Sequence, residues 1–167
     1  AFSLSEYGIA YYNTAYCYFN QKMYDKAATW FRKYVNQSKK TPKMESDAYN
    51  RIGDFYYLNR DYAEANKYYD RAYQLNSYDP DYALYQQAVC SGLERNYDAK
   101  IQYLNKLIDQ YPRSSFIDDA MFEIAKTNDR TGAINEAITG YNKLIRELAQ
   151  SNFTKKAYLQ LGLIYYN

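Results

Sequence analysis

Apolar residues in this chain stand three and four positions from a small residue that returns at near-even spacing: Ala15, Gly53, Ala88, Ala125 and Gly162, separated by 38, 35, 37 and 37 residues. Residues at those offsets share one helix face, so each recurrence marks a helix with a small contact point ringed by bulky side chains. Twelve residues behind runs a second ladder, Ala27, Ala65 and Ala137, with Lys100 in the third slot. Two ladders per period predict two helices per unit. Small residues at the crossing let antiparallel helices approach to about 8–10 Å while the large neighbours interdigitate. The expectation is an all-α chain of about nine helices in antiparallel pairs, stacked as a superhelix, with Gly53 facing Ala65.

Breakers and caps place the boundaries. The first pair runs near Glu6 to Asn20 and Tyr24 to Ser38, followed by the loop Lys39-Lys40-Thr41-Pro42. Asp61-x-x-Glu64 and Asn96 are starts for second helices, and Asp79-Pro80 opens the third unit with Asp as N-cap. Tyr111-Pro112 ends a helix before Ser115-x-x-Asp118 begins the next; Gly132 sits in a tight turn, and Asn152 opens a last helix. The repeats are 6–41, 45–78, 80–112, 115–151 and a partial fifth at 152–167, within one domain over 1–167. The third is the most degenerate, with Gln87, Ser91 and Lys100 at expected apolar or small positions, and should pack more loosely. The pattern begins at Ala1 and stops inside a helix, which reads as a segment of a longer protein. The face of the last helix, carrying Tyr158, Leu159, Leu161, Leu163, Ile164 and Tyr165, should then lie open to self-association or fray.

Composition narrows the function. Of 167 residues 47% are hydrophobic, but 24 are Tyr, so mean hydropathy is only −0.74. Tyr combines buried area with a polar tip. A net charge of +2, with basic residues scattered along helices, disfavours nucleic acid. No apolar run is long enough to span a bilayer. Cys17 and Cys90 stand two repeats apart, which predicts buried free thiols and no bridge.

The stretch Tyr49-x-x-Ile52-Gly53-x-x-Tyr56, then Tyr62-x-x-Ala65-x-x-x-Tyr69-x-x-Ala72, resembles the tetratricopeptide repeat at every helix-packing position. The likeness extends through Tyr11, Ala15, Tyr18, Tyr24, Ala27 and Phe31 in the first copy, where Tyr34 replaces a small residue. Met121, Ile124, Ala125, Ala137 and Tyr141 carry it in the fourth, and Tyr158, Leu161, Gly162 and Tyr165 in the fifth. The junction Tyr111-Pro112-Arg113-Ser114-Ser115 is similar to that of bacterial cell-envelope repeat proteins, such as outer-membrane assembly lipoproteins and the Tol-Pal coordinating protein. That likeness favours periplasm or cell envelope over cytoplasm.

The chemistry of catalysis is missing from the sequence. There is no histidine, hence no Ser-His or Cys-His pair, and none of the six glycines forms a phosphate loop. Asp118, Asp119 and Glu123 read as partners of a helix dipole, and Lys100 as a stem in a seam with its ammonium in solvent. No catalytic residue, metal or cofactor is expected.

What remains is a surface. In the tetratricopeptide resemblance, first helices line a concave face, at Tyr12, Tyr16 and Phe19, then Asn50, Asp54 and Tyr57, then Tyr82, Tyr85 and Val89, then Phe122, Lys126 and Asp129. Some of these aromatics could instead pack against a neighbouring repeat. Chaperone-binding relatives grip a terminal carboxylate with Lys and Asn, but Tyr12, Tyr16 and Gln86 stand at those places, so an apolar peptide or partner helix fits better. The expected function is non-catalytic binding of a protein or peptide, the alternative a spacer or oligomerisation module.

Overall fold

The computed structural model describes residues 4–166 and is all-helical over that span. Nine helices follow one another among the described residues: α1 (Leu4–Asn20), α2 (Tyr24–Val35), α3 (Pro42–Leu58), α4 (Tyr62–Leu75), α5 (Pro80–Leu93), α6 (Tyr97–Gln110), α7 (Ile117–Thr131), α8 (Ile134–Glu147) and α9 (Asn152–Tyr166). The expected end of the last helix at Asn167 lies outside the described residues. Contacts gather into two compact units, residues 1–90 and 91–167, which divide within α5.

In the first unit α1 packs on α2 and α3 on α4. Ala15, Ala27, Phe31, Tyr34, Ala48 and Ile52 form one core, and Ala65, Tyr69, Ala72, Ala83 and Cys90 another. Both ladders are buried here, and the ring one turn beyond Ala65 fills the space at Gly53. A Cβ on Gly53 would stand 2.6 Å from the Tyr69 ring, so the bare glycine of α3 receives an aromatic ring from α4. Tyr34, in a slot where a small residue is usual, is also buried, and its hydroxyl accepts the Thr41 N–H at 3.3 Å.

The second unit pairs α7 with α8, flanked by α6 and α9. Its core joins Met121, Phe122, Ala125, Ala137, Tyr141, Leu144, Ala157 and Leu161. Close approach is set at Gly140, where an added Cβ would lie 2.9 Å from that of Ala125. Gly162, by contrast, has nothing within 4 Å of its Cβ position; of the α9 face expected to lie open, Tyr158, Leu159, Leu163 and Tyr165 are exposed, but Leu161 is buried in the core and Ile164 packs against it, because α9 turns that side onto α8.

Several local expectations are corrected. Pro42 belongs to α3, not to the preceding loop: it occupies the first turn while the Thr41 hydroxyl accepts the Met44 N–H at 3.3 Å. Asp61 and Asn96 cap as expected. Asp79, however, has φ 46°, a left-handed residue and not an extended N-cap. At the start of α7 the N-cap is Phe116 and not Ser115, without a side-chain cap, and Ser114 Oγ accepts from the Phe116 N–H at 3.1 Å. Gly132 does end α7, with φ 84°. The third repeat departs from expectation at particular side chains. Gln87 and Ser91 are buried, and the Lys100 stem lies 3.0 Å from a Cβ placed on Gly92. The Lys100 ammonium ends on Glu123 at 2.6 Å instead of in solvent. The two cysteines are free, but only Cys90 is buried; Cys17 is exposed because it falls on the outer side of α1.

Candidate functional site

Helix α3 organises the first unit's inner face. Asp47, Asn50, Arg51 and Asp54 recur at three- and four-residue spacing and so share one side of the helix. The Arg51 guanidinium bridges the two carboxylates, 3.4 Å from Asp47 Oδ1 on one side and bonded to Asp54 Oδ2 on the other. Four tyrosine hydroxyls close on the same pair. Tyr12 and Tyr16 of α1 both donate to Asp47 Oδ2. Tyr69 of α4 and Tyr82 of α5 donate to Asp54 Oδ1 at 2.8 and 2.6 Å. Burial, reinforced by these carboxylates, pushes the four phenols well above their ordinary range. Burial works against the Arg51 charge, but Asp54, Tyr82 and Asp47 outweigh it and hold the guanidinium protonated.

The rings so anchored border a cavity of about 240 Å³. Phe19, Tyr24, Tyr57 and Tyr82 are among its walls, Leu58 and Tyr69 complete the apolar lining, and Asp54 and Gln86 supply polar groups. Phe19 and Tyr24 meet edge-on at 5.5 Å, and Arg51 lies over both Phe19 and Tyr82, 5.8 and 5.4 Å from the ring centres. Phe19, Asp54, Tyr57 and Tyr82, four of the residues singled out in the sequence, therefore come together here. Tyr12 and Tyr16 stand beside Asp47 in the supporting network, and Tyr85 is half-buried outside the cavity lining. Asn50 is 0% exposed, which removes it from the accessible groove; neither atom of its carboxamide has a partner among the described residues.

The second unit does not extend the expected strip in the same way. Phe122 is 6% exposed, with Tyr141 at 5.7 Å and Phe153 at 5.1 Å, so its ring is core and not a groove contact. Lys126 is exposed and pairs with Glu123 at 3.2 Å. Asp129 lines a separate hollow with Ile134, Gln160, Leu163 and Ile164.

Sequence reasoning overlooked Asp47, Arg51 and Tyr69 as parts of this site. The signal was available in the i, i+4, i+7 run Asp47, Arg51, Asp54 on a helix otherwise rich in aromatics. Tyr69 was recognised only as a packing residue.

Comparison with known proteins agrees with this architecture. Tetratricopeptide repeat profiles match residues 2–45, 46–79, 82–114 and 119–151. No curated protein matches the chain by sequence. Among solved structures, MamA from Desulfovibrio magneticus RS-1 is similar with TM-score 0.73 at 15% identity, over 94% of this chain and 82% of that one. YrrB, described as a TPR protein with an unusual peptide-binding site, gives TM-score 0.71 at 21% identity over 92% of this chain and 75% of its own. The N-terminal domain of stress-induced protein-1 from C. elegans gives 0.61 at 18%, over 72% of this chain and 97% of that domain. At these identities the likeness is one of fold.

Proposed function

This chain belongs to the tetratricopeptide repeat family, and on that premise we propose that it is a non-catalytic scaffold holding a peptide or protein segment in the aromatic cavity of its first unit. The observation that carries this reading is the cavity itself, with Phe19, Tyr57 and Tyr82 on its walls and Tyr82 fixed by Asp54 before any ligand arrives. Aromatic walls with their orientation already set lose little freedom on binding, which is how a groove of modest size gains affinity. Peptide binding is a property stated of YrrB and supports the reading only by analogy of fold. The setting proposed is a bacterial cell envelope, on the strength of the Tyr111–Ser115 junction alone.

Display of random capped peptides on the purified chain tests the proposal. Binders should lose about 2 kcal/mol, roughly thirtyfold in affinity, with Phe19→Ala or Tyr57→Ala in proteins of unchanged helicity. Binders indifferent to both substitutions would move the site elsewhere. A second reading, a spacer or oligomerisation module, draws on one observation: Leu159, Leu163 and Tyr166 expose an apolar strip on α9.

A further inference from the structure

On the side of α3 turned away from Asp47 and Asp54, aromatic rings and guanidinium groups form a second array that takes no part in the cavity. Tyr49 and Tyr56 are seven residues apart and share a helix face; each stands two residues from one of the two aspartates, which puts that face opposite theirs. Tyr56 stacks on Tyr68 of α4 with ring centres 5.3 Å apart and planes at 12°, and Tyr68 meets Tyr49 at 6.2 Å. Two arginines flank this stack. Arg32 of α2 lies over Phe55 and Tyr56 at 5.6 and 5.7 Å, and its Nη1 donates to the Tyr56 hydroxyl at 3.0 Å. Arg71 of α4 lies over Tyr68 and Tyr49 at 5.2 and 5.7 Å. Arg71 is exposed and Arg32 half-buried.

Among the described residues neither guanidinium forms an ion pair. The acids of the neighbourhood are engaged elsewhere. Glu45 pairs with Lys40 at 3.0 Å, and Glu64, one turn before Tyr68, pairs with Lys67 at 2.7 Å. Asp70 stands two residues from Tyr68, on another side of α4, and accepts from Gln74 Nε2. Asp25 and Asp61 lie two turns before Arg32 and Tyr68, about 10 Å away along their helices, at N-termini that favour negative charge. Two positive charges are therefore left over at the stack. Lys33, exposed and also without an ion pair among the described residues, repeats the arrangement on α2, its ammonium 3.9 Å from the centre of the Trp30 ring. The kind of anion follows from the rings. Tyr56 is covered by Tyr68 and Arg32, and Tyr68 by Tyr56 and Arg71, which leaves a nucleic-acid base or a sugar ring little open π face to stack on. A guanidinium laid on a ring still presents N–H groups in its own plane, in the fork that matches a carboxylate.

Independently of the cavity, we infer that this outer side of the first unit docks an acidic segment of a partner protein, whose carboxylates take the free N–H edges of Arg32 and Arg71. The segment lies across α2 and α4, over the Tyr56–Tyr68 pair between the two cations. The rings hold both guanidiniums in place before the segment arrives, so less side-chain freedom is lost than at an unsupported surface arginine. A neutral or basic segment has no charge to offer there, and a ligand that depends on stacking finds its platform already occupied.

The test is fluorescence anisotropy on the purified chain with a labelled, capped decapeptide alternating Glu and Ala, the same peptide with Gln for Glu, and a single-stranded thymidine oligonucleotide of equal charge; phosphatidylglycerol vesicles are assayed by co-sedimentation. In low salt the Glu peptide should bind about tenfold more tightly than the Gln peptide, a difference that collapses in about 1 M salt. Arg71→Gln, at an exposed position, should weaken the Glu peptide about three- to fivefold, and combining it with Arg32→Gln should erase the preference for Glu. Arg71→Glu reverses the charge without touching the half-buried Arg32 and should erase the preference as well, so it decides the matter if the double variant loses its helices. Lys143→Gln, an exposed position in the second unit, should leave the preference intact. Equal binding of the two peptides overturns the inference, as does a preference that survives Arg71→Glu. A preference lost in Lys143→Gln overturns it too, because net charge and not the two arginines would then be responsible. Oligonucleotide or vesicles held as tightly as the Glu peptide, and released by Arg71→Glu, overturn it in favour of a surface for polyanions at large. If the wild-type chain binds none of the probes, the inference falls.

Discussion

The Tyr69 ring lies directly over the bare Cα of Gly53, so closely that a methyl group there would come within 2.6 Å of ring carbon Cε1. Tyr69 cannot retreat easily, since it is 0% exposed and its hydroxyl is bonded to Asp54. Gly53→Ala should therefore destabilise the fold by about 1–3 kcal/mol despite alanine's better helix propensity. Gly162→Ala, at the equivalent repeat position but in open space, should be neutral or stabilise by up to about 1 kcal/mol. Urea denaturation of the two variants decides between them, and equal effects would mean that the ring is not the obstacle.

Asp47 accepts from Tyr12 and Tyr16 and also faces Arg51. Asp47→Ala leaves two hydroxyls and part of a buried guanidinium unpaired, and should cost about 3 kcal/mol. Tyr12→Phe combined with Asp47→Ala should cost less than the sum of the separate changes, because the second substitution has already lost its partner. Additive losses in that cycle would show that the hydroxyl contributes through some other contact.

The hydroxyl of Tyr141 is pushed up to about 12 by burial, with Asp129 and Glu123 adding to the shift. Its ordinary value is near 10, so the folded chain holds this proton more tightly than the unfolded chain does. Stability from this group is whole below about pH 10 and is lost as pH rises towards about 12. Tyr12, Tyr16, Tyr69 and Tyr82 shift in the same direction and should steepen the decline. Phenolate absorbance and helicity should change together above about pH 10, and Tyr141→Phe should flatten part of the slope. Full ionisation at about pH 10 with intact helices would contradict the burial argument.

Burial opposes ionisation of Glu123, but Lys100, seconded by Lys126, overcomes it and lowers its pKa. The resulting stability is present above the ordinary carboxylate range and lost as pH falls through the folded value. Lys100→Met keeps the stem over Gly92 and removes the charge, so the acid limb of the stability curve should become shallower while packing survives. An unchanged acid limb would mean that Lys126 alone accounts for the shift.

The exposed strip of α9 should draw copies together at high concentration. Light scattering should show an apparent mass that rises with concentration, and Leu159→Glu with Leu163→Glu should suppress the rise without lowering the melting temperature. A constant monomer mass for the parent chain would argue against the oligomerisation role.

The helix pairs were legible because small residues and caps act locally: Ala15, Ala125, Asp61 and Asn96 behave as their neighbourhoods in the sequence require. The groove was only partly legible. Phe19, Asp54, Tyr57 and Tyr82 converge on the cavity, but Phe122 has the same residue class and helix position and is buried by Tyr141 and Phe153. A face position tells where a ring points, not what another helix sets in front of it. Lys100 departs from expectation, and the close approach at Gly53 takes a form the sequence did not specify, for a related reason. Each is small or charged in its own helix, and its surroundings are set by one side chain from elsewhere, Glu123 in one case and Tyr69 in the other.

Because tyrosines from α1, α4 and α5 all fasten to carboxylates of α3, the Tyr69 and Tyr82 walls of the cavity are tied to that helix and do not swing independently of it. A segment arriving at the cavity meets those two rings already in place. Association should follow a single exponential whose rate grows linearly with concentration, with no slow rearrangement after contact, and selectivity should be expressed in how long the segment stays.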